Sequence, residues 1–404
     1  MSPTPGAAAT VDGTCDDRFA EVRAEFEQNF SERGEVGAAV HVMIDGQPVV
    51  DLWGGVSEPG GGPWNADTMV VVFSCTKGAT AVCAHLLIDR QLLDPDAPVA
   101  EYWPEFAANG KAGATVAMML NHSVGVPALR APLPDGACTD WDLMCDRLAA
   151  EAPFWDPGAS HGYHMLTFGW TVGELVRRVS GRSLGSFFAD EVAGPLGADF
   201  FIGLPDAEAG RVAPIIPSIP DPDRLSEFAR VLLADPTSLP RLSWMNTGGF
   251  EANNPAVMRS EIGGGGGVAT AKGLARLYRP LAADGDGFVS ADAVTRMSQV
   301  SVAGGHDRTL LLPTRFGLGF MVSMDNRRRQ TGDTDSVLLS PTGFGHVGAG
   351  GSIGFADPSC GLAFGYVMNK MGPGIFLNER GQSLIDAVYR ALGYRSNTTG
   401  AWTR

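Results

Sequence analysis

Lysine is scarce in this chain. Only four occur in 404 residues, at Lys77, Lys111, Lys272 and Lys370. Lysine and arginine together number 30 against 45 acidic residues, for a formal charge of −15. That deficit of cations argues against nucleic acid and anionic membrane surfaces as partners, because basic side chains supply the affinity in both cases. No apolar run approaches the length of a membrane span. The six cysteines, at 15, 75, 83, 138, 145 and 360, are irregularly spaced, with no C-x-x-C pair. The first 16 residues lack the charged and apolar regions of a secretion signal. They read as a flexible tail, residues 1–16, and the expected location is cytoplasmic with reduced thiols. His161 and His164 lie three apart, but no Cys or second His pair follows at ligand spacing. No metal and no cofactor are therefore expected.

What remains is a soluble globular composition, 44% hydrophobic and 19% charged, in a chain long enough for two domains. Asp17 to Phe30 has helical spacing in Phe19, Val22, Phe26 and Phe30. Val36–Ile44 and Val49–Trp53 flank the turn signal Asp45-Gly46, which predicts a hairpin. Met69 to Phe73 reads as a buried strand leading into a helix that runs to Leu93. A helix over Leu166–Ser180 stops at Gly181, and another starts at Ser183. Residues 205–257 are proline-rich and irregular, with a helical patch near Leu225–Leu233. Gly263 to Gly267 is a run of five glycines, suggesting a turn or close backbone approach before a helix at Lys272–Ala283. Strands follow at Phe316–Met324, Phe344–Ala356 and Gly361–Asn369, and a helix over Gly381–Leu392 closes the chain. The expected fold class is α+β. An α/β domain of antiparallel sheet flanked by helices comes from both chain ends (17–80 and 258–396), with a mainly helical domain (81–257) inserted.

Ser74-Cys75-Thr76-Lys77 opens the helix that follows the Val-Val-Val-Phe run. The S-x-x-K spacing puts a hydroxyl and an amine on one helix face, a nucleophile with its general base in the same turn. The positive helix N-terminus disfavours an ammonium there and favours a developing alkoxide. With 24 serines and four lysines in the chain, the tetrapeptide alone is weak evidence. Two further segments strengthen it. Tyr163 precedes a helix in Pro157–His164, and His346-Val347-Gly348-Ala349 sits where a late strand begins.

In that order these three segments resemble the motifs of the class C β-lactamase-like serine hydrolases, most closely the family VIII carboxylesterases. The resemblance runs from about residue 17 to about residue 395. It includes Asn121–Pro127, Gly194-Pro195-Leu196-Gly197 and Gly354–Pro358. It implies a β-lactamase/penicillin-binding-protein-like fold with Ser74, Lys77 and Tyr163 as the catalytic set. Lys77 and the Tyr163 phenol would share the Ser74 proton, a nearby ammonium favouring phenolate. The backbone N–H groups of Ser74 and Ala349 would form the oxyanion hole, with His346 and Gly348 in substrate binding. Two departures bear on substrate. Met165 stands where such enzymes usually carry Asn, and His346 where they carry a substrate-binding lysine. Both changes favour a neutral ester over a β-lactam or a cell-wall peptide.

Gly350-Gly351-Ser352-Ile353-Gly354 is a formal G-x-S-x-G, a rival nucleophile. The elbow needs a helix after the serine and a histidine downstream. No histidine follows His346, so Ser352 reads as a backbone-close residue beside the pocket. Trp244, Met245 and Phe250 are candidates for the pocket wall, and they fit core packing of the helical domain equally. The function expected is hydrolysis of carboxylic esters of small to medium acyl groups through an acyl-Ser74 intermediate. An acyltransferase using the same intermediate and a β-lactamase or D-alanyl peptidase are the alternatives. A small-molecule ester is the expected partner, and homo-oligomerisation is left open.

Overall fold

The computed structural model describes residues 10–219, 221–329 and 335–404. Its strands, in chain order, are β1 (Val11–Cys15), β2 (Gly37–Ile44), β3 (Gln47–Gly55), β4 (Val70–Val71), β5 (Phe200–Phe201), β6 (Val268–Ala269), β7 (Val302–Gly304), β8 (Thr314–Phe316), β9 (Met321–Val322), β10 (Phe344–Val347), β11 (Ile353–Asp357) and β12 (Leu362–Met368). Nine of them form one antiparallel sheet in the order β1-β3-β2-β12-β11-β10-β9-β8-β7, and β4-β6-β5 form a small second one. The architecture is α+β, as the sequence led one to expect.

Both faces of the main sheet are covered, and β12 shows how its sequence achieves this. Leu362, Phe364, Tyr366 and Met368 point to one core, while Ala363 and Val367 belong to the other. The period of two sends alternate side chains to opposite faces. On the first face lie α1 (Ala20–Glu32) and the closing helix Glu379–Ala391, which pack together. The spacing of Phe19, Val22 and Phe26 buries all three there. On the other face lie the Ala271–Tyr278 helix and α2 (Cys75–Asp89). Every residue of α2 from Cys75 to Ile88 is buried. A helix that is apolar all round belongs in the interior of a large protein, and this one carries Lys77 inside with it.

The β2–β3 turn has Asp45 at φ 49° and Gly46 at φ 76°. Two left-handed residues in succession make the primed turn that matches strand twist. Four expectations need correction. Residues 11–15 of the supposed tail form β1, whose pairing with β3 spans Val11–Gly54 to Cys15–Val50. Alternation of small polar and apolar residues suits an edge strand as well as a tail. Residues 1–9 lie outside the described residues. The stretch 344–356 is two strands, because Gly350 (φ 88°) and Gly351 (φ 118°) turn the chain between β10 and β11. The stretch 316–324 likewise divides into β8 and β9. Residues 205–257, read with one helical patch, hold helices at Glu227–Ala234, Leu239–Met245 and Pro255–Arg259. Among the described residues no helix is long and apolar enough to cross a membrane, and all six cysteines are unpaired.

Candidate active site

Ser74 sits at the N-cap of α2. The residue before it, Phe73, has φ 45°, a conformation that costs a bulky L-residue energy and is held only by its surroundings. Lys77 Nζ lies 3.0 Å from Ser74 Oγ. It donates to the carbonyl oxygens of Met165 and Gly264, at 2.5 and 2.6 Å. Burial pushes this amine well below the ordinary lysine range. A neutral amine has two N–H bonds and one lone pair. The two carbonyls can only accept, so they take both N–H bonds and leave the lone pair for the Ser74 hydroxyl proton.

Tyr163 closes the other side. Its ring stacks on Phe316 at 5.9 Å and tilts against His122 at 4.9 Å and His346 at 6.0 Å. Lys77 Nζ is 4.7 Å from the ring centroid. The phenol oxygen is buried with no hydrogen-bond partner among the described residues. Burial pushes its pKa up, and the neighbouring Ser74 opposes that only in part. The sequence argument had a lysine ammonium favouring phenolate. Burial works against both charged forms, lowering the Lys77 amine and raising the Tyr163 phenol.

One supporting residue escaped the sequence reading. Asp307 is fully buried, and its two carboxylate oxygens accept the Tyr163 N–H at 3.0 and 3.1 Å. It also accepts from Thr309 N, Leu310 N and Thr314 Oγ1. Nothing local marks it, since it lies 144 positions from Tyr163. The glycine run did carry a signal. A Cβ on Gly264 would stand 2.3 Å from the Leu166 carbonyl, and one on Gly169 would stand 2.1 Å from Gly264 N. Only bare backbone lets this carbonyl reach the base.

Gly348 acts in the same way at the third motif. A Cβ there would meet the Val72 carbonyl at 2.3 Å, so β10 runs against the segment that carries the nucleophile. The next residue, Ala349, lines the cavity in front of Ser74. Neither the Ser74 nor the Ala349 N–H donates to an acceptor among the described residues. Both donors are free for a developing oxyanion.

His346 is placed differently from expectation. Its ring is 1% exposed and does not line the cavity; it backs Tyr163. In the alternating pleat Val347, not His346, turns toward the opening. Burial, with Lys77 nearby, lowers its pKa to about 3. It is neutral, with Nδ1 2.9 Å from the Val347 carbonyl and Nε2 unpartnered. Ser352 is fully buried and followed by β11 instead of a helix, so it forms no elbow. His161 bonds Thr314 Oγ1, and His164 accepts from Val126 N. Among the described residues no group of three His, Cys, Asp or Glu could hold a metal.

The cavity at Ser74 has a volume of about 450 Å³. Trp244, Phe250, Met165 and Ile215 line it along with Ser74 and Tyr163. Met245, expected in the wall, is 55% exposed on the outside of its helix. Among the described residues no lysine or arginine is in the lining, and Glu251 is its single charged residue.

Residues 22–388 match the Beta-lactamase family. The chain belongs to the beta-lactamase family. Esterase/beta-lactamase LipL of Mycobacterium tuberculosis is 39% identical over 386 residues, 91% of this chain and 85% of that protein. The crystal structure of a family VIII carboxylesterase is 36% identical, with a TM-score of 0.83 over 95% of this chain and 100% of that one. A penicillin-binding protein homolog from Caulobacter crescentus is 35% identical, with the same TM-score and coverage. This beta-lactamase-family chain therefore has relatives named for esters and relatives named for β-lactams. Membership alone does not choose between the substrates.

Proposed function

We propose that this protein hydrolyses carboxylic esters of small to medium acyl groups through an acyl-Ser74 intermediate. Ser74 Oγ gives its proton to the Lys77 lone pair as it attacks the carbonyl carbon. The oxyanion is received by the N–H groups of Ser74 and Ala349. The Lys77 ammonium, held by the Met165 and Gly264 carbonyls, returns the proton by way of the Tyr163 hydroxyl to the departing alcohol. Water then enters, loses a proton along the same route, and releases the acid. The names of the family VIII carboxylesterase and of the esterase/beta-lactamase relative support this reading.

The observation that carries it is the cavity lining, which among the described residues offers no cation and one carboxylate. The carboxylate of a β-lactam or of a cell-wall peptide would find no charge-assisted partner there. Each such bond is worth roughly 1.5–3 kcal/mol, about 10- to 100-fold in rate. A neutral ester forgoes nothing. The test compares kcat/KM for nitrophenyl butyrate with that for a chromogenic cephalosporin. The ester is expected to lead by at least about 10-fold. Equal rates on both would overturn the proposal in favour of a true β-lactamase.

A further inference from the structure

The cavity mouth holds a second, unused recognition element. Glu251 is exposed at the rim, and its carboxylate has no ion pair or hydrogen bond among the described residues. Two aromatic rings share its wall. Phe250 precedes it in the chain, and Trp244 remains 44% exposed while its ring is fixed edge-on against Phe228 at 5.7 Å. A free carboxylate that shares a cavity wall with aromatic rings attracts a compact cation, because ring quadrupole and charge act in the same direction. Among the described residues no cation lines the cavity to oppose it. Lys370, the lysine that reaches a lining residue, donates to the Pro217 carbonyl at 3.2 Å; burial holds the Lys77 amine well below its ordinary range, and the chain as a whole carries −15.

We propose that Glu251, with Trp244 and Phe250, selects esters whose alcohol part bears a quaternary ammonium or a protonated amine. The inference rests on the esterase reading and names its substrate class. The alcohol is the part concerned because it leaves toward solvent, past the rim, once Ser74 has taken the acyl group. The bond broken is the same acyl C–O bond. Water supplies the elements of acid and alcohol, so the cation changes recognition and not chemistry.

The experiment uses a pair of esters of equal shape, butyrylcholine and 3,3-dimethylbutyl butyrate, which differ in a positive nitrogen against a neutral carbon. The full-length protein should favour the cationic ester in kcat/KM by about 3- to 10-fold at low salt, the size expected of one exposed carboxylate and one aromatic face. The ratio should fall toward one at about 0.5 M salt. Glu251→Gln should at least halve it at low salt, leaving only the share of the aromatic rings. A ratio of one in the wild type overturns the inference while leaving the esterase reading intact. A preference undiminished by Glu251→Gln overturns the role of Glu251. Failure to hydrolyse either ester refutes the esterase reading, and this inference with it.

Discussion

Lys77→Met should change the pH dependence of stability by an amount that proton linkage fixes. In the folded protein burial holds the Lys77 amine well below its ordinary range; in the unfolded chain a lysine titrates near about 10.4. Between those two values the unfolded state binds one more proton than the folded state. Wild-type stability therefore rises with pH, by about 1.4 kcal/mol per pH unit. For an amine that is neutral in the folded state at both pH values, deprotonation on folding costs about 4–5 kcal/mol at pH 7 and about 2 kcal/mol at pH 9. The methionine variant has no such cost. It instead leaves the Met165 and Gly264 carbonyls without their donor, a penalty of roughly 2–3 kcal/mol for the two together at any pH. The variant should then be more stable than wild type at pH 7 and no more stable at pH 9. Urea unfolding of both proteins at the two pH values measures this directly. The difference between them should move by roughly 2–3 kcal/mol in favour of the wild type over that interval. A difference that stays constant would mean that Lys77 is an ammonium in the folded state, and its role as the base would fall.

Two further outcomes follow from the site. A fluorophosphonate probe should label the peptide that carries Ser74; labelling should vanish in Ser74→Ala and persist in Ser352→Ala, and an adduct on Ser352 would reverse the assignment. Gly264→Ala forces a Cβ to within 2.3 Å of the Leu166 carbonyl. It should destabilise the fold by about 1–3 kcal/mol in thermal unfolding and lower kcat for nitrophenyl butyrate, since the displaced carbonyl no longer orients Lys77. An unchanged kcat and Tm would refute the account of the glycine run.

The parts of this fold that could be read from the sequence are those whose signals are local. The Phe19–Val22–Phe26 spacing, the Asp45-Gly46 turn and the Gly181 stop lie within a few residues of what they specify. The S-x-x-K pair is local too, since helix geometry alone brings Lys77 to Ser74. The misreadings come from non-local causes. Whether Phe344–Ala356 is one strand or two depends on a turn at Gly350-Gly351 that an apolar run conceals. Whether His346 or Val347 faces substrate depends on strand register, and a shift of one position exchanges the faces. Met245 follows Trp244 on a short helix, where adjacent residues point in different directions. Asp307 is polar, buried and remote from the loop it holds. The protonation states of Lys77 and Tyr163 depend on how completely the assembled core excludes water, which no motif encodes.

The central pairing of β2 with β12 also determines when activity can first appear. Gly37 N donates to the Asn369 side chain across 332 positions, and Cys75 Sγ donates to the His346 carbonyl across 271. Such contacts close very large loops, and topologies of this kind fold slowly. On a ribosome the nucleophile, its base and the tyrosine emerge long before β10, which brings the Ala349 N–H donor, and β12, which anchors β2. A nascent chain can thus carry Ser74, Lys77 and Tyr163 without an assembled oxyanion hole. On the proposed mechanism hydrolytic competence awaits β10 and β12, and a truncation ahead of them should remove activity without touching Ser74, Lys77 or Tyr163.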